Sequence, residues 1–228
     1  MDYFFATASI KSREVGVFPQ SQTAYDFADI QEKRFDLEEK IELDFTLPRP
    51  IIDKKAKLTS MLSVVVVPSW FLVLDTKLVE TISRSKLSLF QTWNLECQHL
   101  ATGERIKNYV LFYICKPSDQ DVVNYESSSF YIGKNGDWRF RGDLVKVKDQ
   151  NEYIEKNNAI LNFGYLKCNE LVVNFANTSS DLIRLSYNPL LNGYLISARL
   201  KSIIEMSGFD GIEFQKVESI DSRIKVIG

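Results

Sequence analysis

The stretch YLISARLKSIIEMSGFDGIEFQ, residues 194–215, decides how the fold is read. Tyr194, Leu195 and Ile196 end a strand, and Ser197 stands where a helix N-cap accepts a hydrogen bond from the first turn. Leu200, Ile203 and Ile204 then recur at helical spacing and mark a buried face. Gly208 sits where a left-handed residue stops a helix, with Phe209 placed to pack back on the last turn. Asp210-Gly211 makes a tight turn, after which Ile212 and Phe214 alternate with Glu213 and Gln215 along a strand. Each residue has a reason to be there as scaffold. The segment predicts strand, capped helix and strand, and no chemistry.

The same plan occurs earlier. LVLDTKLVETI (72–82) and YLISARLKSII (194–204) share three apolar residues, a capping Asp75 or Ser197, a base two positions later, and Leu and Ile on the helix face. Any strand leading into a capped helix produces much of that match, so it is read as shared element chemistry rather than duplication. Leu74 is placed to staple onto Val79 across the Asp75 cap.

Elsewhere strands dominate. DYFFATAS opens the chain as a strand, and residues 10–26 read as polar loop. Ile41, Leu43, Phe45 and Leu47 alternate with Glu42, Asp44 and Thr46, a half-buried strand broken at Pro48-Arg49-Pro50. MLSVVVV reads as a buried strand stopped by Pro68. Strands at 89–98 and 108–115 flank a Thr102-Gly103 turn, and Gly133-Lys134-Asn135-Gly136 reads as a hairpin turn. A helix at 149–157 and strands near 159–166, 170–176 and 181–187 follow. These elements predict an α+β fold, a mostly antiparallel sheet with two or three short helices. Residues 1–228 read as a single domain, with two intimate lobes dividing near 116–127 as the alternative.

Composition excludes several classes. Apolar residues at 45% and charged residues at 25% are globular values, and the formal net charge of −2 gives no general attraction to nucleic acid or anionic membrane. The apolar run SVVVVPSWFLVL (63–74) is too short to span a bilayer. MDYFFATASIKSRE lacks the positive start and long apolar run of a signal peptide. Cys97, Cys115 and Cys168 are odd in number and far apart, which points to reduced thiols and a cytoplasmic setting.

Catalytic constellations are hard to assemble from one histidine. Cys97 and His99 sit two apart on an expected strand, short of the three or four ligands of a zinc site. As a catalytic dyad they have no third group to orient them. The Gly133–Gly136 turn lacks the spacing of a phosphate loop. DWRFRGDLVKVK (137–148) interleaves aromatic and basic residues. As a strand it would set Trp138 and Phe140 against Arg139 and Arg141, with Lys146 and Lys148 beyond. A single-stranded nucleic-acid groove uses those residue types, although a solvated basic face is the plainer reading. DFADIQEKRFDLEEKIELD (26–44) carries eight acids against three bases, a local charge of −5. Asp26, Asp29, Glu32, Asp36, Glu38, Glu39, Glu42 and Asp44 form either a solvated face or a docking surface for a basic partner. No cofactor and no metal are expected.

Ser197, Leu200, Ile204, Gly208, Phe209, Gly211, Ile212 and Phe214 together form a pattern that resembles a family of bacterial immunity proteins encoded beside polymorphic toxins. YVLFYICKPSDQDVVNYESSSF (109–130) and the helix after FLVLD (71–75) also match that family's order of elements. The resemblance implies a non-enzymatic antidote that binds one cognate toxin domain in the cytoplasm of the producing cell. The matching positions are framework, so the resemblance assigns no binding residues, and it leaves the oligomeric state open. If the toxin is a nuclease, the acidic run would face its basic cleft.

Overall fold

In the computed structural model, which describes residues 2–25, 40–42 and 46–227, the 194–215 segment has the expected form. The elements in chain order are β1 (Tyr3–Ala8), α1 (Ser12–Val15), β2 (Ser21–Tyr25), β3 (Arg49–Ile52), β4 (Met61–Leu62), β5 (Leu72–Asp75) and α2 (Thr76–Ile82). There follow β6 (Phe90–His99), β7 (Arg105–Ile114), α3 (Asp119–Val122), β8 (Ser129–Lys134), β9 (Leu144–Val145), α4 (Gln150–Ile160) and β10 (Gly164–Asn174). The chain ends with β11 (Leu182–Leu185), β12 (Gly193–Ser197), α5 (Ala198–Met206), β13 (Ile212–Lys216) and β14 (Ile224–Ile227).

The Ser197 hydroxyl accepts from the Leu200 N–H at 3.2 Å and caps α5. At the other end Gly208, at φ +75°, lets its N–H reach the Glu205 carbonyl while the Phe209 N–H reaches Ile204. That pair of bonds satisfies carbonyls the helix would otherwise leave open. The Asp210-Gly211 turn is held from outside. Asp210 accepts from the Ser60 N–H at 2.9 Å, and the Gly211 N–H donates to Glu14 at 2.8 Å. A stretch that looked local is bolted to both earlier regions of the chain.

Among the described residues three sheets form, in the orders β11-β12-β1-β13, β14-β10-β8-β9 and β2-β3-β6-β7-β5-β4. Antiparallel pairs predominate, but β3–β6 and β10–β14 run parallel, so two sheets are mixed. The similarity between 72–82 and 194–204 extends to strand order. β5 and β6 are joined through α2 with β7 between them; β12 and β13 are joined through α5 with β1 between them. Leu78 and Ile82 of α2 share one apolar cluster with Leu200 and Ile204 of α5.

The period of two decides which core each strand serves. Along β7, Tyr109, Leu111 and Tyr113 enter the cluster inside the six-stranded sheet, while Phe112 and Ile114 enter the cluster with the two helices. Leu195 of β12 faces a third cluster with Phe130 and Leu171, and its neighbours Tyr194 and Ile196 face the helices. The middle cluster therefore draws on both halves of the chain. Each buried Leu or Ile contributes roughly 2 kcal/mol of transfer free energy.

Several expectations are corrected. The described residues hold five α-helices rather than two or three, two of them the four-residue turns α1 and α3. MLSVVVV forms a strand only at Met61–Leu62, because Ser63 is held by Gln20 through its N–H and hydroxyl and the chain then turns, burying Val66 and Val67 and leaving Val65 exposed. Residues 10–26 contain α1 and β2, and Pro50 sits inside β3, paired with Ala24 where β6 has no partner for it. The alternating strand expected through 41–47 is not present at 40–42 or 46–48, and residues 43–45 lie outside the described set. The helix at 149–157 runs on to Ile160, and the strands at 159–166 and 170–176 are one strand, β10, with a bulge between Cys168 and Glu170.

Candidate functional site

Residues 138–141 do not form a strand. Asp137 Oδ1 accepts from the N–H groups of Arg139 and Phe140 at 3.0 and 3.2 Å, which closes a turn where a ladder was expected. The chain then returns along β8 as the short edge strand β9, with Tyr131 opposite Leu144. Trp138 is left 76% exposed at the tip.

This turn lies over the outer face of the sheet. Register places Tyr131 beside both Leu144 and Lys167, and Gly133 beside Tyr165. Residues opposite one another share a face, so these point away from the core that holds Phe130, Leu166 and Cys168. Gly133 has no Cβ for a reason: one would lie 2.6 Å from the Lys167 stem that crosses it. Lys167 Nζ continues to the Trp138 carbonyl at 3.0 Å and sits 5.3 Å from the Tyr165 ring. Arg139 lies over Trp138 at 4.9 Å and Arg141 over Tyr131 at 5.1 Å. Asn135 binds the Phe163 carbonyl at 3.0 Å, bringing exposed Phe163 and Leu161 alongside. The result is an apolar, aromatic surface with cations laid on its rings.

Of the six residues in the basic-aromatic stretch, Trp138, Arg139 and Arg141 gather here. Phe140, beside Gly142 and Ile132, and Lys146 and Lys148 do not. Lys146 Nζ donates to the Ser128 carbonyl at 3.3 Å, and the Lys148 N–H donates to Glu152 beside α4. Sequence reasoning missed Leu144, Tyr165 and Lys167, which join the surface through cross-strand register, and Leu161 and Phe163, which join it through Asn135. Of the acidic candidates, Glu42 is exposed, next to Ile41, whose backbone is held by Gln91. Asp26, Asp29, Glu32, Asp36, Glu38, Glu39 and Asp44 lie outside the described residues.

Cys97 is fully buried on β6, and burial, with Glu96 nearby, pushes its thiol up to about 12. That is the opposite of an activated nucleophile. His99 is engaged with Thr102 at 3.2 Å. A cleft of about 510 Å³ opens between β1, β4, β5 and β12, lined by Phe5, Val65, Pro68, Phe71, Asn192 and Tyr194 among others, with no acid or base on its walls. Asp119 is buried, and burial raises its carboxyl despite bonds from Ser186, Tyr187 and Asn188 and the charge of Arg184. These bonds shape the loop after β11. Among the described residues no group of three or more His, Cys, Asp or Glu is placed to hold a metal ion. No described helix is long and apolar enough to cross a membrane.

No protein-family model matches the chain, and no curated protein matches it.

Proposed function

We propose that the chain is an immunity protein: it binds a cognate bacterial toxin domain in stoichiometric amounts in the cytoplasm and blocks it without chemistry of its own. The observation that carries this reading is the exposed aromatic and apolar face around Trp138, Phe163 and Tyr165. Surfaces of that kind mark protein contact sites, and Trp, Tyr and Arg are the side chains that dominate binding energy at such contacts. The sequence resemblance of residues 194–214 supplies the kind of partner, and the rigidity of that segment suits a preorganised binder.

The test is co-expression. The carboxy-terminal domain of the open reading frame immediately upstream is induced alone and then with this chain. Killing by the domain, rescued by this chain as a co-purifying complex, supports the reading. A harmless neighbour, or one that kills regardless, contradicts it.

A second reading rests on the same face. Trp138 and Phe140 beside Arg139 and Arg141 have the composition of a single-strand nucleic-acid platform. It predicts binding to an oligothymidylate that weakens steeply with salt.

A further inference from the structure

We propose that the outer face of β8 and β10, centred on Trp138, Phe163 and Tyr165, is the anchor that holds the protein partner. The complementary partner surface is an apolar pocket rimmed by carboxylates. This deepens the immunity reading and rests on it.

The chain as a whole is acidic at −2, yet this face carries Arg139, Arg141 and Lys167 against Asp137. The Asp137 carboxylate is already engaged as the acceptor that closes the turn. A positive rim on a negative molecule selects an acidic counterpart and speeds encounter with it.

Exposure and rigidity make the same case. Trp138 at 76% and Leu144 at 69% are far more open than the core around them, and Phe163 at 56% stands beside them. The rings are not loose. Arg139 covers one side of Trp138, and Lys167 is tied to two backbone carbonyls while it lies on Tyr165. Anchors fixed before binding lose little entropy on docking, so their burial appears as affinity.

The same geometry favours protein over nucleic acid. A base stacks on an open ring face. Here one face of Trp138 and of Tyr165 already lies under a cation, and Tyr131, also under one, is buried. The aliphatic Leu144 and Leu161, which offer no stacking surface, are exposed in the same patch. An apolar protein pocket uses all of these.

The polarity of this face is the reverse of that expected from residues 26–44. A partner gripped here presents carboxylates, not the basic cleft that an acidic run would cover.

The experiment uses the full-length chain and the purified carboxy-terminal domain encoded immediately upstream, in a kinetic binding assay. Trp138→Ala and Phe163→Ala are each expected to weaken binding at least about 30-fold, mostly through faster dissociation. Arg141→Glu is expected to slow association about tenfold at low salt. Met206→Ala, an equally exposed apolar position on α5, is expected to bind as wild type. Unchanged melting temperatures show that the variants fold. If the wild type binds and the Trp138 and Phe163 variants bind within about twofold of it, the inference fails while the immunity reading survives. If only reversal of Asp36, Glu38 and Glu42 to lysine weakens binding, the anchor lies in the acidic run and the inference fails. If the wild type does not bind the domain, the immunity reading fails and this inference falls with it. Binding of a twenty-residue oligothymidylate that Trp138→Ala abolishes overturns it in favour of nucleic acid.

Discussion

The guanidinium of Arg184, fully buried, donates from Nε to the Ile114 carbonyl at 2.9 Å, fastening β11 to the end of β7. It also reaches the Ser186 hydroxyl at 2.7 Å and the Cys115 carbonyl at 3.4 Å, and lies 4.8 Å from the Tyr113 ring. A buried cation persists only when its donors are satisfied and a counter-charge is near, here Asp119. Arg184→Met should leave those carbonyls without their donor and Asp119 without its cation. The expected loss is on the order of 3 kcal/mol, read as a lower urea midpoint at unchanged slope. A loss below about 1 kcal/mol would show that the clasp is not needed.

Two glycines separate a conformational cost from a steric one. Gly208 and Gly211 both have φ +75°, but a Cβ on Gly208 meets nothing within 4 Å. On Gly211 it would lie 2.4 Å from the Thr59 side chain and 2.8 Å from the Met61 carbonyl. Gly208→Ala should cost about 1 kcal/mol, the left-handed penalty alone. Gly211→Ala should cost roughly 3 kcal/mol or more, because buried neighbours have to move. Equal costs in chemical denaturation would refute the packing described around the Asp210-Gly211 turn.

The cysteines provide a test in alkali. Burial pushes Cys97 and Cys168 from an ordinary value of 9.0 up to about 12. Their folded values exceed the unfolded ones, so the stability gained from keeping them neutral is complete below about pH 9 and is lost as pH rises towards 12. At pH 8 iodoacetamide should leave both unlabelled in the native protein and label them in urea. Rapid native labelling of Cys97 would reopen the enzymatic reading.

Asp181 acts at the acid end. Burial alone would raise its carboxyl, but Arg199, the Ser197 hydroxyl at 2.7 Å and the Lys86 N–H at 2.9 Å outweigh that and hold it below its ordinary 3.8. Its folded value is below the unfolded one, so its contribution is present above about pH 4 and lost as pH falls through the folded value. Asp181→Asn should therefore lower the melting temperature at pH 7 and lose less on going from pH 5 to pH 3 than the wild type. Parallel acid profiles would assign the acid limb elsewhere.

Local signals were legible where one residue type performs one local task. Asp75 and Ser197 each accept from a backbone N–H three residues on, as capping residues should. Gly208 ends its helix as its position implies. What could not be read was set by partners far along the chain. The valines of 64–67 turn because Gln20 takes hold of Ser63 across the core. The 137–141 turn forms because one carboxylate competes with the ladder, and no periodicity announces that. The candidate surface was half visible, in Trp138, Arg139 and Arg141. Its other half comes from far along the chain, Tyr165 and Lys167 by strand register and Leu161 and Phe163 through Asn135, which a linear pattern does not encode.

The central claim is that this chain acts by occupancy and not by turnover, and a titration tests it most directly. A fixed concentration of the upstream toxin domain, well above the dissociation constant, is mixed with increasing amounts of the chain, and the domain's activity is followed. The account predicts a linear fall that ends at about one molar equivalent, with a complex of matching mass by light scattering. Complete and time-dependent inactivation by about a tenth of an equivalent would show turnover and contradict it.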